Sequence, residues 1–141
     1  VNNMNIDGVK GLLEKDKGLS LTLGMEFFST DDPNTCKATM RVDERNRQPF
    51  GFLSGGATLA LAENLAGVGS LALCPDDISV GINVSGNHVK AVVEGDTVTA
   101  TAHLINKGRL LHVWRVDICN SADELISVVN VTNYVIVRGN K

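Results

Sequence analysis

Several features that mark common function classes are scarce in this sequence, and each shortage excludes something. Aromatic residues make up 4% of the chain and the net charge is −3. Neither a basic stripe nor a stacking platform is on offer, so no nucleic-acid partner is expected. Cys36, Cys74 and Cys119 are widely spaced, odd in number and form no Cys-x-x-Cys pair. That pattern fits reduced thiols in a cytoplasmic protein better than a disulfide framework. His88, His103 and His112 have no partner at ligand spacing, so no metal site is expected, and His103 and His112 read as exposed or strand-surface residues. The first seven residues lack the basic region and apolar core of a secretory signal. The longest apolar stretch, 57–74, is rich in Gly and Ala and interrupted by Glu63 and Asn64, which reads as short of a membrane span.

What remains is the profile of an ordinary globular domain. The chain has 141 residues, 43% of them hydrophobic and 21% charged. That length buries a sizeable core without staples, and residues 1–141 read as a single domain.

Along the chain, Ile6, Val9, Leu12 and Leu13 share one face of a short amphipathic helix over 5–15, weakened by Gly8 and Gly11. Residues 19–28 and 35–42 carry β-formers and period-two patterning on either side of Asp31-Asp32-Pro33-Asn34, which predicts a hairpin. Residues 43–48 are polar loop. Ser54 is a favourable N-cap for a long apolar helix that ends near Cys74, before Pro75. That helix is apolar nearly all round, so a sheet should wrap it. The rest reads as strands at 78–89, 97–105, 110–119 and 125–137, with Val92-Val93-Glu94-Gly95-Asp96 between the first two. The short turns at 106–109 and 120–123 require antiparallel neighbours. The order of elements makes the fold α+β rather than doubly wound.

Between positions 48 and 75 the sequence holds one formally charged residue, Glu63. It is surrounded at helical spacing by Leu59, Ala60, Ala66 and Gly67, and a carboxylate in such a setting is costly unless it is hydrogen-bonded, paired or used in chemistry. A narrow solvent face or a distant arginine would also account for it. Upstream, Gly55 and Gly56 fall in the first turn of the same helix, where backbone N–H groups lack intrahelical acceptors and the macrodipole is positive. The pair serves either close helix-to-sheet packing or the approach of a carbonyl oxygen.

Order and motif together resemble the hotdog-fold acyl-CoA thioesterases, over nearly the whole chain. The residues that carry the resemblance are Gln48, the Gly55-Gly56 pair with Glu63 eight positions beyond Gly55, the strand Ile82-Asn83-Val84-Ser85-Gly86-Asn87-His88, and the turns Glu94-Gly95-Asp96 and Gly108-Arg109. They point to the branch of phenylacetate-pathway, Arthrobacter-type 4-hydroxybenzoyl-CoA, 1,4-dihydroxy-2-naphthoyl-CoA and enterobactin-pathway proofreading thioesterases. The resemblance implies a hotdog domain in which an antiparallel sheet of about five to six strands wraps one long central helix. The implied activity is hydrolysis of an aromatic or medium acyl-CoA, with no cofactor beyond the coenzyme A of the substrate. Glu63 would be nucleophile or general base, the Gly55 amide the carbonyl polariser, and Gln48 a hydrogen-bonding partner of the carbonyl or the water. Ser54, Gly56, Gly67, Val68, Val84, Ser85, Gly86 and His88 would hold substrate, with Lys90 and Arg109 on the nucleotide phosphates.

One departure stands out. The branch carries His-Gly-Gly where this sequence has Ser54-Gly55-Gly56, so the residue associated with orienting the thioester is absent. Ser54 itself makes no Gly-x-Ser-x-Gly elbow, which argues against a serine nucleophile. Glu63 follows Gly55 by eight residues, roughly 12 Å of helical rise, too far for both to serve one carbonyl within one subunit. The resemblance accordingly implies a homodimer with shared sites, doubled to a dimer of dimers. A non-catalytic acyl-CoA-binding module and a hotdog hydratase or dehydratase are the competing readings.

Overall fold

The computed structural model describes residues 4–138. Its first elements are short: a 3-10 turn at Ile6–Val9 running into α1 (Lys10–Lys15), then α2 (Leu19–Leu23). The single helix expected over 5–15 is thus divided between a 3-10 turn, with the Asn5 side chain accepting from the Gly8 N–H, and one and a half turns of α-helix.

Leu19, Leu21 and Leu23 alternate like a strand, yet they form α2. The reason is local. Gly24 adopts φ +85°, a left-handed cap whose N–H bonds the carbonyls of Ser20 and Leu21 and closes a helical turn before the extended chain begins. Leu19 and Leu21 are left exposed, which the alternation could not reveal. The strand that follows, β1 (Met25–Ser29), pairs with β2 (Thr35–Arg41) as the expected hairpin, Met25 opposite Met40 and Ser29 opposite Cys36.

The long helix is α3 (Gly55–Leu73). Ser54 stands at its N-cap position with extended dihedrals, but its side chain makes no capping hydrogen bond, contrary to the sequence expectation. Instead, Thr58 turns back and bonds the Ser54 carbonyl through both its N–H and its hydroxyl, each at 3.0 Å. Length and composition alone would let α3 cross a bilayer; its packing identifies it as the core helix.

Around it curls one antiparallel sheet, completed by β3 (Ile78–His88), β4 (Thr97–Lys107), β5 (Leu111–Cys119) and β6 (Leu125–Ile136) in the order β1-β2-β4-β5-β6-β3. Every ladder is antiparallel, and β3 crosses to the far edge to pair with β6. Period-two alternation sends Val98, Ala100 and Ala102 of β4 and Trp114, Val116 and Ile118 of β5 inward onto Leu61, Ala62, Leu65 and Ala66 of α3. The approach is close: a Cβ on Gly69 would stand 2.6 Å from the Trp114 ring.

A polar cluster lies inside this core and corrects the reading of His112 as a surface residue. His112 is buried on the inward face of β5. Its Nδ1 is 2.8 Å from Ser70 Oγ, which also accepts from Trp114 Nε1 at 3.1 Å and Asn133 Nδ2 at 3.0 Å. With two donors on the oxygen, the Ser70 proton goes to His112 Nδ1, which fixes the neutral Nε2–H tautomer. Burial, and secondarily the charge of Lys107, holds the His112 pKa below its ordinary value. The unfolded chain therefore binds a proton more readily than the folded one, and stability present above about pH 6.5 should be lost as pH falls below it. Urea unfolding between pH 5 and 8 checks this, with the slope abolished in His112→Gln. Ser70→Ala, which strands the Trp114 and His112 ring nitrogens, should cost about 3 kcal/mol in the same experiment.

Candidate active site

The loop ahead of α3 is fixed by Asn46. Its buried side chain donates to the carbonyls of Leu23 at 3.1 Å and Arg41 at 2.8 Å and accepts from Asp43 N–H, while its own carbonyl accepts from Ser54 N–H at 2.9 Å. The loop is stitched further to residues 92–94 through Leu53 N–H to Val92 O and Glu94 N–H to Gly51 O. Gly51, at φ +90°, completes the turn that doubles the chain back after Gln48.

This scaffold sets Gln48 beside the start of α3. The Gln48 side-chain oxygen accepts from the N–H of Phe50 and, at 3.5 Å, of Phe52. With the oxygen engaged by backbone donors, the two amide hydrogens are left for the cleft. Gln48, Gly55, Thr58, His88, Lys90 and Ser127 line that cleft, of about 370 Å³. His88 reaches in from the end of β3. A Cβ added to Gly55 would stand 3.0 Å from His88 Nε2, so glycine there lets the ring rest against the helix start without being pushed aside. On its other side the ring bonds the buried Ser127 through Nδ1, Nδ1 to Oγ 2.8 Å.

Glu63 lies elsewhere. It is half-buried two turns along α3 and lines a second cleft, of about 530 Å³, together with Leu12, Leu13, Gly67, Val68 and Leu71. None of its lining residues belongs to the Gln48 cleft. The Glu63 carboxylate rests on β3 at Gly81, where a Cβ would overlap it at 2.1 Å, and β3 shifts register between Gly81 and Asn83 just beyond. The helix and the edge strand therefore touch at two points, Glu63 on Gly81 and Gly55 on His88.

The other sequence candidates divide. Gly67 and Val68 share the Glu63 cleft. Val84, Ser85 and Gly86 lie on β3 between the two contact points; Gly86 is required to be glycine by β6, since a Cβ would meet the Val128 carbonyl at 2.7 Å. Ser54 and Gly56 open onto a separate depression shared with Leu19 and Leu23. Lys90 lines the Gln48 cleft, with its ammonium 3.4 Å from the Glu124 carboxylate. Arg109, exposed at the β4–β5 turn, lines neither cleft. Among the described residues no cluster of His, Cys, Asp and Glu is placed to hold a metal ion. Burial pushes the Cys36 thiol up to about 12, which leaves it protonated and inert.

Residues that sequence reasoning missed are Asn46, Gly81 and Ser127. Ser127 carried a faint signal, a lone hydroxyl in the apolar run Ile126-Ser127-Val128-Val129. Gly81 and Asn46 carried none that could be read without the fold.

Comparison with known proteins supplies the family. Residues 50–127 match the model of the thioesterase superfamily. A Deinococcus radiodurans protein described as "Putative esterase" is 49% identical over 123 residues, covering 86% of this chain and 76% of its own length. A 1,4-dihydroxy-2-naphthoyl-CoA hydrolase of Listeria monocytogenes is 34% identical over 116 residues, covering 82% of this chain and 93% of that protein. The crystal structure of the Haemophilus influenzae thioesterase HI1161 superposes with a TM-score of 0.83 at 34% identity, covering 99% of this chain and 97% of that one. With a six-stranded antiparallel sheet wrapped around one helix and these relatives over most of its length, the chain belongs to the thioesterase superfamily and is an enzyme with the hotdog fold.

Proposed function

We propose that the protein hydrolyses an acyl-CoA thioester at a site completed by two copies of the chain. The observation that carries this reading is the placement of the two half-sites along β3. That strand meets Glu63 at Gly81 and the Gly55 end of α3 at His88. It is also an edge strand, with Ile78, Val80 and Ile82 exposed and one side of its backbone ladder unpaired among the described residues. An exposed eleven-residue edge of this kind is a template for pairing. Antiparallel pairing of two β3 edges about a two-fold axis sets the Gly81 end of one against the His88 end of the other. Glu63 of one copy then faces Gln48 and Gly55 of its partner, which resolves the roughly 12 Å separation along a single helix.

In that composite site the thioester carbonyl takes hydrogen bonds from the Gly55 N–H and the Gln48 amide, at the positive end of α3. Glu63 attacks the carbonyl carbon or takes a proton from the attacking water, and coenzyme A leaves as the thiolate. The acyl group enters the Glu63 cleft, where Leu12, Leu13, Val68 and Leu71 supply an apolar wall and Gly67 leaves room for a ring. An aromatic or medium acyl group suits this lining, in keeping with the naphthoyl-CoA hydrolase named among the relatives. The nucleotide would extend past Lys90 toward solvent, and Arg109 would meet its phosphates only across the assembly. Pairing of two dimers through the outer sheet face, where Leu111, Tyr134 and Val80 stand exposed in one cross-strand row, supports a dimer of dimers. A cytoplasmic setting suits the free thiols and a coenzyme A substrate.

Three outcomes are expected. Thiol release from benzoyl-, phenylacetyl- and dihydroxynaphthoyl-CoA should fall about a hundredfold or more in Glu63→Gln, in the range for losing an acid–base or nucleophilic group. Binding without turnover in the wild type would instead identify a lapsed enzyme that retains the substrate site. Gly81→Ala, which drives a methyl group into the Glu63 carboxylate, should cut kcat at least about tenfold through misplacement of that group while the fold persists by circular dichroism. Mixing inactive Glu63→Gln with inactive Gln48→Ala protomers should restore about a quarter of wild-type activity, since half the random dimers carry one intact site. No restoration after verified subunit exchange would refute the composite site.

A further inference from the structure

We propose that His88 is a catalytic residue that donates its Nε2–H to the thioester carbonyl oxygen beside the Gly55 amide. The inference rests on the thioesterase reading above and adds a second oxyanion donor and its positioning residue, Ser127. It begins with what Ser54 does not do. Its side chain makes no cap to α3 and opens onto a depression away from Gln48, so no group from position 54 enters the cleft.

The group that does enter is the imidazole of His88. A Cβ on Gly55 would lie 3.0 Å from Nε2 and 3.1 Å from Cδ2. That hypothetical atom is one bond from the Gly55 Cα, so the ring lies against the first residue of α3, whose N–H has no intrahelical acceptor. An oxygen bound to that N–H is within reach of Nε2, and the Gln48 amide lines the same cleft. Three donors thus converge where negative charge develops.

The ring is held for this task from behind. His88 and Ser127 are direct cross-strand partners on β3 and β6, and Ser127 is fully buried with its Oγ 2.8 Å from Nδ1. When the Ser127 hydroxyl donates to Nδ1, the proton of the neutral ring rests on Nε2 and points into the cleft. No proton is transferred in this role: Nε2–H strengthens its hydrogen bond as the carbonyl becomes an oxyanion and relaxes when the thiolate departs. Ser127 acts through His88 and is a positioning residue.

A purely structural role, with His88 tying the end of β3 to β6, makes different predictions. The test compares wild type, His88→Phe, His88→Gln and Ser127→Ala by two measurements. The first is turnover of benzoyl-CoA. His88→Phe, which keeps the ring and loses the donor, should lower kcat about a hundredfold with KM changed less than about threefold, whereas His88→Gln, which keeps a donor, should recover most of that loss. Ser127→Ala should fall between them. The second measurement is the infrared carbonyl stretch of the phenacyl thioether of coenzyme A, a ketone that cannot be hydrolysed. Binding to wild type and to His88→Gln should move the stretch to lower wavenumber, and His88→Phe should lose a clear part of that shift.

A His88→Phe kcat within about threefold of wild type, or an unchanged ketone shift, overturns the proposal. If wild type hydrolyses no thioester but still polarises the ketone through His88, the hydrolase reading fails and the His88 assignment stands. If wild type neither hydrolyses benzoyl-CoA nor binds the ketone, both fail.

Discussion

The contact between α3 and the edge strand β3 governs the rest of the molecule, because one helix is the core of the domain and, in the proposed mechanism, also carries its chemistry. A helix buried by a sheet normally presents nothing polar to it. Here a carboxylate and a backbone donor both stand on that helix, and each is accommodated by removing a side chain at the point of contact. Gly81 yields its Cβ space to the Glu63 carboxylate, and Gly55 yields its own to the His88 ring. Gly69 does the same for Trp114 deeper in the core, where no chemistry is involved. Close approach is therefore a general property of this helix–sheet pair, and the functional contacts use it.

The register shift in β3 follows from the same constraint. Ser79 and Gly81 precede it, and Val84, Gly86 and His88 follow it, so odd positions before the bulge and even positions after it are turned toward α3. Were these same residues in a regular ladder, the strand that seats Glu63 at one end would turn His88 away at the other. A bulge of this kind re-aims a side chain and bends the strand around the helix it wraps.

Much of the fold was legible because the sequence alternates cleanly where one face is buried, as in β4 and β5, and because α3 has no proline and few charges across nineteen residues. What failed did so for identifiable reasons. Three leucines at period two imitate a strand, and only the left-handed Gly24 reveals that the turn closes as α2. His112 looked like a surface residue since histidine is seldom buried, yet Ser70 of α3 satisfies its Nδ1 inside the core, itself held by Trp114 and Asn133. Ser54 was read as a capping side chain from residue type alone, and Thr58 performs the tethering instead. In the candidate site, Glu63 announced itself through isolation of charge, and Gln48 became legible only through family resemblance. Gly81, Ser127 and Asn46 act through tertiary register, which no local pattern encodes.

That division says something about how such a site tolerates change. Position 54 precedes a helix whose start is held by Thr58 and Asn46, so the residue there is free to vary without loosening the helix or moving the Gly55 amide. His88 is bound to a buried serine on the neighbouring strand, so its ring is positioned by the sheet rather than by the loop. The proposed donor is thereby insulated from substitutions in the loop, and in the proposed dimer it sits beside the partner's β3 edge as well. In the proposed mechanism, placement of the chemistry then depends on the pairing of strands and less on the conformation of a single helix-entry residue.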